Sequence, residues 1–342
     1  PMYISEALHQ KRDDIKIVWL LDKNVKADLP DYVTRKDSGY FSAARELVSS
    51  KVWVDSNNKF KGVTKRKNQL YIQTWHGSYG IKKIGLDLAE KLPILDKSIN
   101  LYNFRIADTV VTNSRRTTEI YKRAFLYNNN VLEVGSPRND IFFGDDAKSI
   151  SENVRKCFGI RNAKIVLFAP TFRSNFSLDF LDLDFEKLLN VLSEKDGCEW
   201  RVLVRLHPQN LNDAGNLTYS ERIINASEYN VMQELLVASD ILITDYSSCM
   251  FDFVTIPKPC FIYAPDLEEY ENDRGNYFKM SELPFPLAKT NDELAENIKK
   301  FNEEEYIKKV KALHESVGLC ETGHASVKAA DYILEFIDKK TE

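Results

Sequence analysis

No stretch of the 342-residue sequence approaches about 18 uninterrupted apolar residues, so no segment is expected to cross a membrane as a helix. Neither G-x-x-x-x-G-K-S/T nor G-x-G-x-x-G occurs, which removes the P-loop and the dinucleotide fingerprint. A basic excess is also missing. Lys and Arg total 47 against 51 Asp and Glu, and a formal net charge of −4 disfavours a nucleic-acid binder. The five cysteines, at 157, 198, 249, 260 and 320, are scattered and form no C-x-x-C pair. That usage fits a reduced cytoplasmic chain and speaks against zinc.

What is present begins with length. Single hydrophobic cores stop growing at about 250 to 300 residues, so the length predicts two domains. In the first half, apolar runs at 15–21, 51–55, 69–75, 109–112 and 131–135 read as strands, with helices at 42–50, 96–106 and 114–124. A polar loop is expected through Asp37, and the lysine-rich segment 57–68 reads as a solvated turn or as a contact to an anionic polymer or membrane surface. The second half repeats the alternation, with strands at 165–169, 200–206, 222–225, 241–243 and 259–263 and helices at 185–195 and 231–238. The polar segment 144–151 separates the halves. The expected architecture is α/β: an N-terminal Rossmann-like domain over 1–145 and a C-terminal one over 146–342, facing each other across a ligand-binding cleft. The last part is helical and charged; Ala329, Ile333, Phe336 and Ile337 share one face of the final helix, which is expected to pack, the N-terminal domain being a candidate partner. Helical spacing at 3–8 runs straight toward the first strand, so the sequence reads as opening inside a βα unit whose first strand lies upstream.

Five polar clusters stand where strands end: Trp75-His76-Gly77-Ser78, Ser136-Pro137-Arg138-Asn139-Asp140, Pro170-Thr171-Phe172-Arg173, Arg205-Leu206-His207-Pro208 and Thr244-Asp245-Tyr246-Ser247-Ser248. Loops require Gly and Pro but not His and Arg, so the pattern points to ligand chemistry. In the last cluster an apolar run stops at Asp245, Ser247 and Ser248 and then resumes with helical spacing. Either the serines only cap that helix, or their hydroxyls and its N-terminus hold a phosphate. His76 is either a packed loop histidine or an imidazole suited to taking a proton from a hydroxyl near neutral pH. Arg205 and His207, two apart on a strand, point to one side and make a cationic pair suited to phosphate charge. Arg138 and Arg173 are candidates to clamp phosphate oxygens, with surface ion pairs as the alternative, and Lys82 and Lys83 stand ready to help hold an anion. The run 179–184, alternating Asp with Leu, reads as helix-start charge rather than a metal site. Neither a metal nor a cofactor is expected.

Taken in order, several stretches resemble a known family: Gln73 to Gly77 with Lys82 to Asp87, Asn113-Ser114, Gly135 to Asp140, Ala169 to Arg173, Arg205 to Pro208, Ser239 to Phe253, and Gly323-His324-Ala325-Ser326. These are similar to the motifs of the CDP-glycerol glycerophosphotransferases of teichoic acid and related capsule synthesis. The resemblance implies a GT-B fold with the nucleotide on the C-terminal domain, and an enzyme working at the inner face of the cell membrane on a lipid-linked polyol-phosphate or glycan acceptor. It implies that an acceptor hydroxyl attacks the glycerol-side phosphorus of CDP-glycerol and releases CMP. His76 is then the general base and His207 a second essential histidine near the phosphates. Thr171, Arg173, Ser247 and Ser248 become pyrophosphate or cytidine contacts, and Gly77, Arg138, Arg205 and Asp245 complete the candidate substrate-binding set. Where the family usually has Thr-Pro after Trp-His-Gly, this chain has Ser78-Tyr79-Gly80, a departure that bears on donor or acceptor detail. CDP-ribitol is the rival donor, since these motifs do not measure polyol length. A nucleotide-sugar glycosyltransferase on the same fold and a silent accessory subunit are the other readings.

Overall fold

The computed structural model describes every residue except 26, 60–62, 78, 80, 89–92, 174–181, 211–214, 216, 274 and 340–342. The chain divides into two units, one formed by Pro1–Gly77, Ile84–Asp140 and Gly318–Glu342, the other by Ser78–Lys83 and Ile141–Val317.

The first unit runs α1 (Met2–Lys11), β1 (Ile17–Leu21), β2 (Val33–Asp37), α2 (Tyr40–Ser49), β3 (Val52–Asp55), β4 (Leu70–Gln73), α3 (Ile94–Ile106), β5 (Thr109–Thr112), α4 (Arg115–Ala124) and β6 (Asn130–Glu133). Strands β3, β4, β5 and β6 form a parallel sheet in that order, and β1 pairs with β2 in a separate parallel ladder. Every residue of β4 and β5 is buried, the pattern of strands covered on both faces. Strand β2 lies where the sequence reads as a polar loop. Its residues Val33-Thr34-Arg35-Lys36-Asp37 carry little apolar character, and among the described residues it pairs only with β1, an edge position that tolerates polar side chains. Among the described residues, β1 and β3 share no ladder; Val18, Trp19, Val52 and Val54 line a groove together with Ile4 and Leu8 of α1.

The second unit runs α5 (Ala147–Cys157), β7 (Lys164–Ala169), α6 (Phe185–Asp196), β8 (Trp200–Val204), β9 (Ile223–Asn225), α7 (Met232–Ala238), β10 (Ile241–Thr244), α8 (Cys249–Phe253), β11 (Cys260–Tyr263), α9 (Leu267–Asp273), β12 (Leu287–Ala288), α10 (Asn291–Lys300) and α11 (Glu303–Val317). Its sheet is parallel throughout, with strand order β12-β11-β10-β7-β8-β9. From the central pair the chain winds outward one way through β8 and β9 and the other way through β11 and β12. The carboxyl ends of β7 and β10 therefore mark the switch point, where open α/β sheets bind ligands. Segment 81–83 joins this unit through a short antiparallel pairing, with Lys83 N–H bonded to the Gly275 carbonyl at 2.9 Å and Tyr277 N–H to Ile81 at 2.8 Å.

The last helix, α12 (Ala325–Asp338), returns to the first unit. Ala329, Ala330 and Ile333 enter a core with Ile4, Ala7 and Leu8 of α1, and Phe336 and Ile337 pack against it. The sequence reading draws one boundary near residue 145, whereas residues after 317 lie with the first unit. The cause is this apolar face, whose alanines let α12 approach α1 closely. Among the described residues no helix is long and apolar enough to cross a membrane.

Candidate functional site

In the first unit, His76 rides on a short turn beyond β4. Its Nδ1 lies 2.8 Å from the Ser56 carbonyl oxygen. A carbonyl only accepts, so Nδ1 carries the proton and Nε2 keeps its lone pair. The ring is exposed and stacks on Trp75, with centroids 4.5 Å apart and planes 22° from parallel. Trp75 in turn packs on Phe104 and Phe125, whose rings stack at 3.7 Å. This aromatic column fixes one face of the imidazole and leaves its other edge to solvent. Gly77 meets no close backbone; a Cβ there would lie 3.8 Å from the Trp75 ring, an ordinary contact. Among the described residues, then, no close contact calls for glycine at 77. Ser78 and Gly80 lie outside the described residues.

The Ser136 to Asp140 cluster serves largely as a brace. Glu321 accepts from Ser136 N–H at 2.9 Å, from Asn139 Nδ2 at 3.0 Å and from Asn113 Nδ2 at 3.3 Å. Asp140 accepts from the N–H groups of Ala325 at 2.9 Å and Ser326 at 2.7 Å, and from the Ser326 hydroxyl. Two motifs almost two hundred residues apart, Ser-Pro-Arg-Asn-Asp and Gly-His-Ala-Ser, thereby account for each other. Gly135 has φ 107°, and a Cβ there would sit 2.7 Å from Glu321 Oε2, so the left-handed backbone and the close carboxylate both demand glycine. Arg138 is half-buried within the 3-10 turn Pro137–Phe142 and lies near Tyr121; burial raises that phenol and Arg138 opposes the rise.

In the second unit the switch point is organised by Asp245, which is 2% exposed. Its carboxylate accepts from Thr171 N–H at 2.8 and 3.0 Å and from Tyr246 N–H at 2.6 Å, tying the loop after β7 to the loop after β10. Arg173, 6% exposed, faces Asp245 at 2.8 Å and Asp266 at 2.5 Å. Its guanidinium also lies over Tyr246 at 4.9 Å and Tyr270 at 5.2 Å, and those two rings stack at 3.6 Å. Arg173 and Asp245, both expected at substrate, are joined to each other. A carboxylate this deeply buried requires a cation and several N–H donors, and the arrangement supplies them.

Ser247 and Ser248 remain half-buried at the same rim. Ser247 Oγ accepts from Cys249 N–H at 3.3 Å, while Ser248 stands at the N-cap of α8 without a side-chain cap bond. Helix α8 is only five residues long, so its dipole offers an anion little, and any anion here depends on hydroxyls and neighbouring cations. Those cations follow β8. The Arg205 guanidinium donates to the carbonyls of Tyr229 and, at 3.5 Å, Ala226; among the described residues no carboxylate pairs with it, and burial lowers its pKa. His207 accepts from Gln209 N–H at 3.3 Å on Nδ1, which places its proton on Nε2, and its ring lies 5.8 Å from that of Phe172. Burial first, then the charges of Lys82 and Arg205, pushes His207 below its ordinary pKa. Among the described residues, Thr171 Oγ1 is buried with no hydrogen-bond partner. Of the acidic run, Asp184 caps α6 by accepting from Lys187 N–H at 2.9 Å, and 174–181 lie outside the described residues. Among the described residues no three His, Cys, Asp or Glu side chains gather as a metal site would need.

A family model described as CDP-Glycerol:Poly(glycerophosphate) glycerophosphotransferase matches residues 1–335. The chain belongs to that family. The teichoic acid poly(glycerol phosphate) polymerase of Bacillus spizizenii is 30% identical over 98% of this chain and 88% of its own length. The enzyme of the same description from Bacillus subtilis is 28% identical over 98% of this chain, which spans 46% of it, so against that relative the transferase covers about half the length. A structure of the wall teichoic acid polymerase TagF, a variant soaked with CDPG, superposes with a TM-score of 0.86 at 26% identity, covering 100% of this chain and 86% of that one. The fold is therefore α/β and GT-B-like, and the chain is an enzyme that transfers glycerol phosphate from CDP-glycerol.

Sequence reasoning about the transferase misses Glu321, Asp266 and Tyr270. Each acts on residues remote in the chain, and no local spacing marks it. Gln73 was within reach: it heads a quoted motif and is a polar residue closing an otherwise apolar strand.

Proposed function

We propose that the transferase adds glycerol phosphate to the terminal hydroxyl of a lipid-linked teichoic acid acceptor at the inner face of the cell membrane. His76 Nε2 takes the acceptor proton as the acceptor oxygen bonds to the glycerol-side phosphorus of CDP-glycerol. The bond from that phosphorus to the bridging oxygen breaks, and CMP leaves with the electron pair. The observation that carries this reading is the 2.8 Å contact from His76 Nδ1 to the Ser56 carbonyl, which commits the exposed Nε2 to accepting a proton. Arg205 and His207, with the hydroxyls of Thr171, Ser247 and Ser248, hold the diphosphate. The support is a buried guanidinium and a buried Thr171 hydroxyl that, among the described residues, have no carboxylate and no hydrogen-bond partner respectively. Arg173 and Asp245 shape the loops that present these groups. The acceptor's lipid anchor and the membrane location rest on the family resemblance.

Replacing His76 by Ala should lower turnover by at least about 100-fold while leaving the CDP-glycerol Kd, read by calorimetry, within about threefold. Full activity in that variant would sink the base assignment. Offering CDP-glycerol, CDP-ribitol and a UDP-sugar in parallel reports the donor, since CMP marks phosphotransfer and UDP glycosyl transfer. Ser247→Ala combined with Ser248→Ala should weaken CDP-glycerol binding, and an unchanged Kd refutes the cradle.

A further inference from the structure

We infer that Gln73 is a positioning residue for His76, setting both the turn that carries the imidazole and the carbonyl that fixes its tautomer. The inference deepens the general-base reading and rests on it for its kinetic consequence.

Gln73 closes β4 and is 1% exposed, so its carboxamide must find both a donor and an acceptor inside the protein. It does so on two separate segments. Oε1 accepts from Trp75 N–H at 2.8 Å, and Nε2 donates to the Asn57 carbonyl at 3.1 Å and to the Tyr71 hydroxyl oxygen at 3.0 Å. Trp75 is the residue before His76, and Asn57 is the residue after Ser56. The bonds close a circuit: Gln73 to Trp75, along the chain to His76, from Nδ1–H to Ser56, along the chain to Asn57, and back to Gln73.

Trp75 adopts φ 52°, a left-handed backbone that a bulky side chain enters only when its surroundings hold it there. Its ring is held by Phe104 and Phe125, and its N–H by Gln73. The facing loop follows directly from β3, whose Asp55 lies opposite Gln73 in register, with Thr74 N–H bonded to the Asp55 carbonyl at 2.8 Å. Asp55 also accepts from Asn57 N–H at 3.0 Å and from Lys59 Nζ at 2.6 Å, which steadies the loop without touching the His76 turn. Gln73 is the side chain that joins the residue before His76 to the residue after Ser56. Its side chain fits because one end accepts and the other donates. Glu at 73 would keep the acceptor and lose the donor, and Met would lose both while nearly matching the shape.

The test labels the histidines of the full chain with ¹⁵N and reads tautomers from long-range ¹H–¹⁵N spectra, identifying His76 by its loss in His76→Ala. Wild-type protein should show the Nδ1–H form, and Gln73→Met a mixture of both forms. With CDP-glycerol and a short poly(glycerol phosphate) primer, Gln73→Met should lower kcat about 10- to 100-fold with KM for CDP-glycerol within about twofold. Gln73→Glu should recover part of the loss. A wild-type His76 protonated on Nε2 overturns the inference without any variant, as does a Gln73→Met protein with unchanged tautomer and kcat. If Gln73→Met fails to fold, Gln73→Glu and the wild-type spectrum decide. Turnover retained in His76→Ala defeats the general-base reading by itself, because the tautomer measurement does not depend on catalysis.

Discussion

Arg173 and Asp245 show how much a residue's folded partners add to what its chemical type suggests. Both carry the charges a phosphate site uses, and both stand at a strand's carboxyl end, yet Asp245 is paired with Arg173, and Arg173 with both Asp245 and Asp266. Arg205 carries the same charge beyond the end of the next strand and, among the described residues, meets only carbonyls. The difference between a brace and a ligand group is thus whether a carboxylate has been folded against the guanidinium. Removing one member of the brace leaves a buried charge uncompensated, so Asp245→Ala should destabilise the second unit by about 3 kcal/mol. Urea unfolding followed by intrinsic fluorescence measures this; a loss below about 1 kcal/mol would show that Asp266 suffices. At this scale the sequence identified His76, Arg205 and His207 as chemically apt from their types and their places at strand ends. Tautomers and ion pairs were not legible, because they depend on carbonyls and carboxylates brought in from elsewhere in the fold.

Elements were legible where the period of apolar residues was unambiguous. The runs that became β4, β5, β7, β10 and β11 are short and apolar, and all but Lys164 of β7 lie buried within their sheets. Strand β2 escaped because an edge strand needs no apolar face, and its pairing with β1 is a backbone matter that side-chain spacing does not report. Helix α8 escaped in the other direction: Met250, Phe251 and Phe253 continue a helical pattern, but the helix ends at Phe253 and the serines before it have little dipole to add. Helix α12 depends on a cap from outside itself, since His324 at its N-cap makes no side-chain cap bond and Asp140 takes its first N–H groups. Asp140→Ala should therefore cost about 1 to 2 kcal/mol, seen as a lower urea midpoint, with the CDP-glycerol Kd unchanged. An unshifted midpoint would mean that packing against α1 holds α12 without the cap.

For the whole molecule, pH offers a readout of the second unit. His207 is held below its ordinary pKa by burial and by Lys82 and Arg205; His314 is held low by burial, with a bond to the Val254 backbone opposing. Among the described residues, Nε2 of His314 is buried with no hydrogen-bond partner, so protonation would place a charge where none of them receives it. An unfolded histidine titrates near pH 6.5, above both folded groups. The stability these neutral imidazoles allow is therefore complete above about pH 6.5 and is lost as pH falls through their lower folded values. Melting temperature should drop between about pH 7.5 and 5.5, and His314→Phe should flatten that drop. An identical slope in the variant would rule out His314 as a contributor.

The sequence by itself determined the α/β class, the duplication into two Rossmann-like halves, the strand-end location of the polar clusters and, through their order, the family. These follow from periodicity and residue type, which are local properties of a chain. Only the tertiary structure decided that residues after 317 join the first unit, that Arg173 pairs with Asp245 while among the described residues no carboxylate pairs with Arg205, and that His76 Nδ1 lies against the Ser56 carbonyl. Each of those outcomes turns on which distant backbone or carboxylate group lies within about 3 Å, and that distance is set by sheet order and packing rather than by neighbours in sequence.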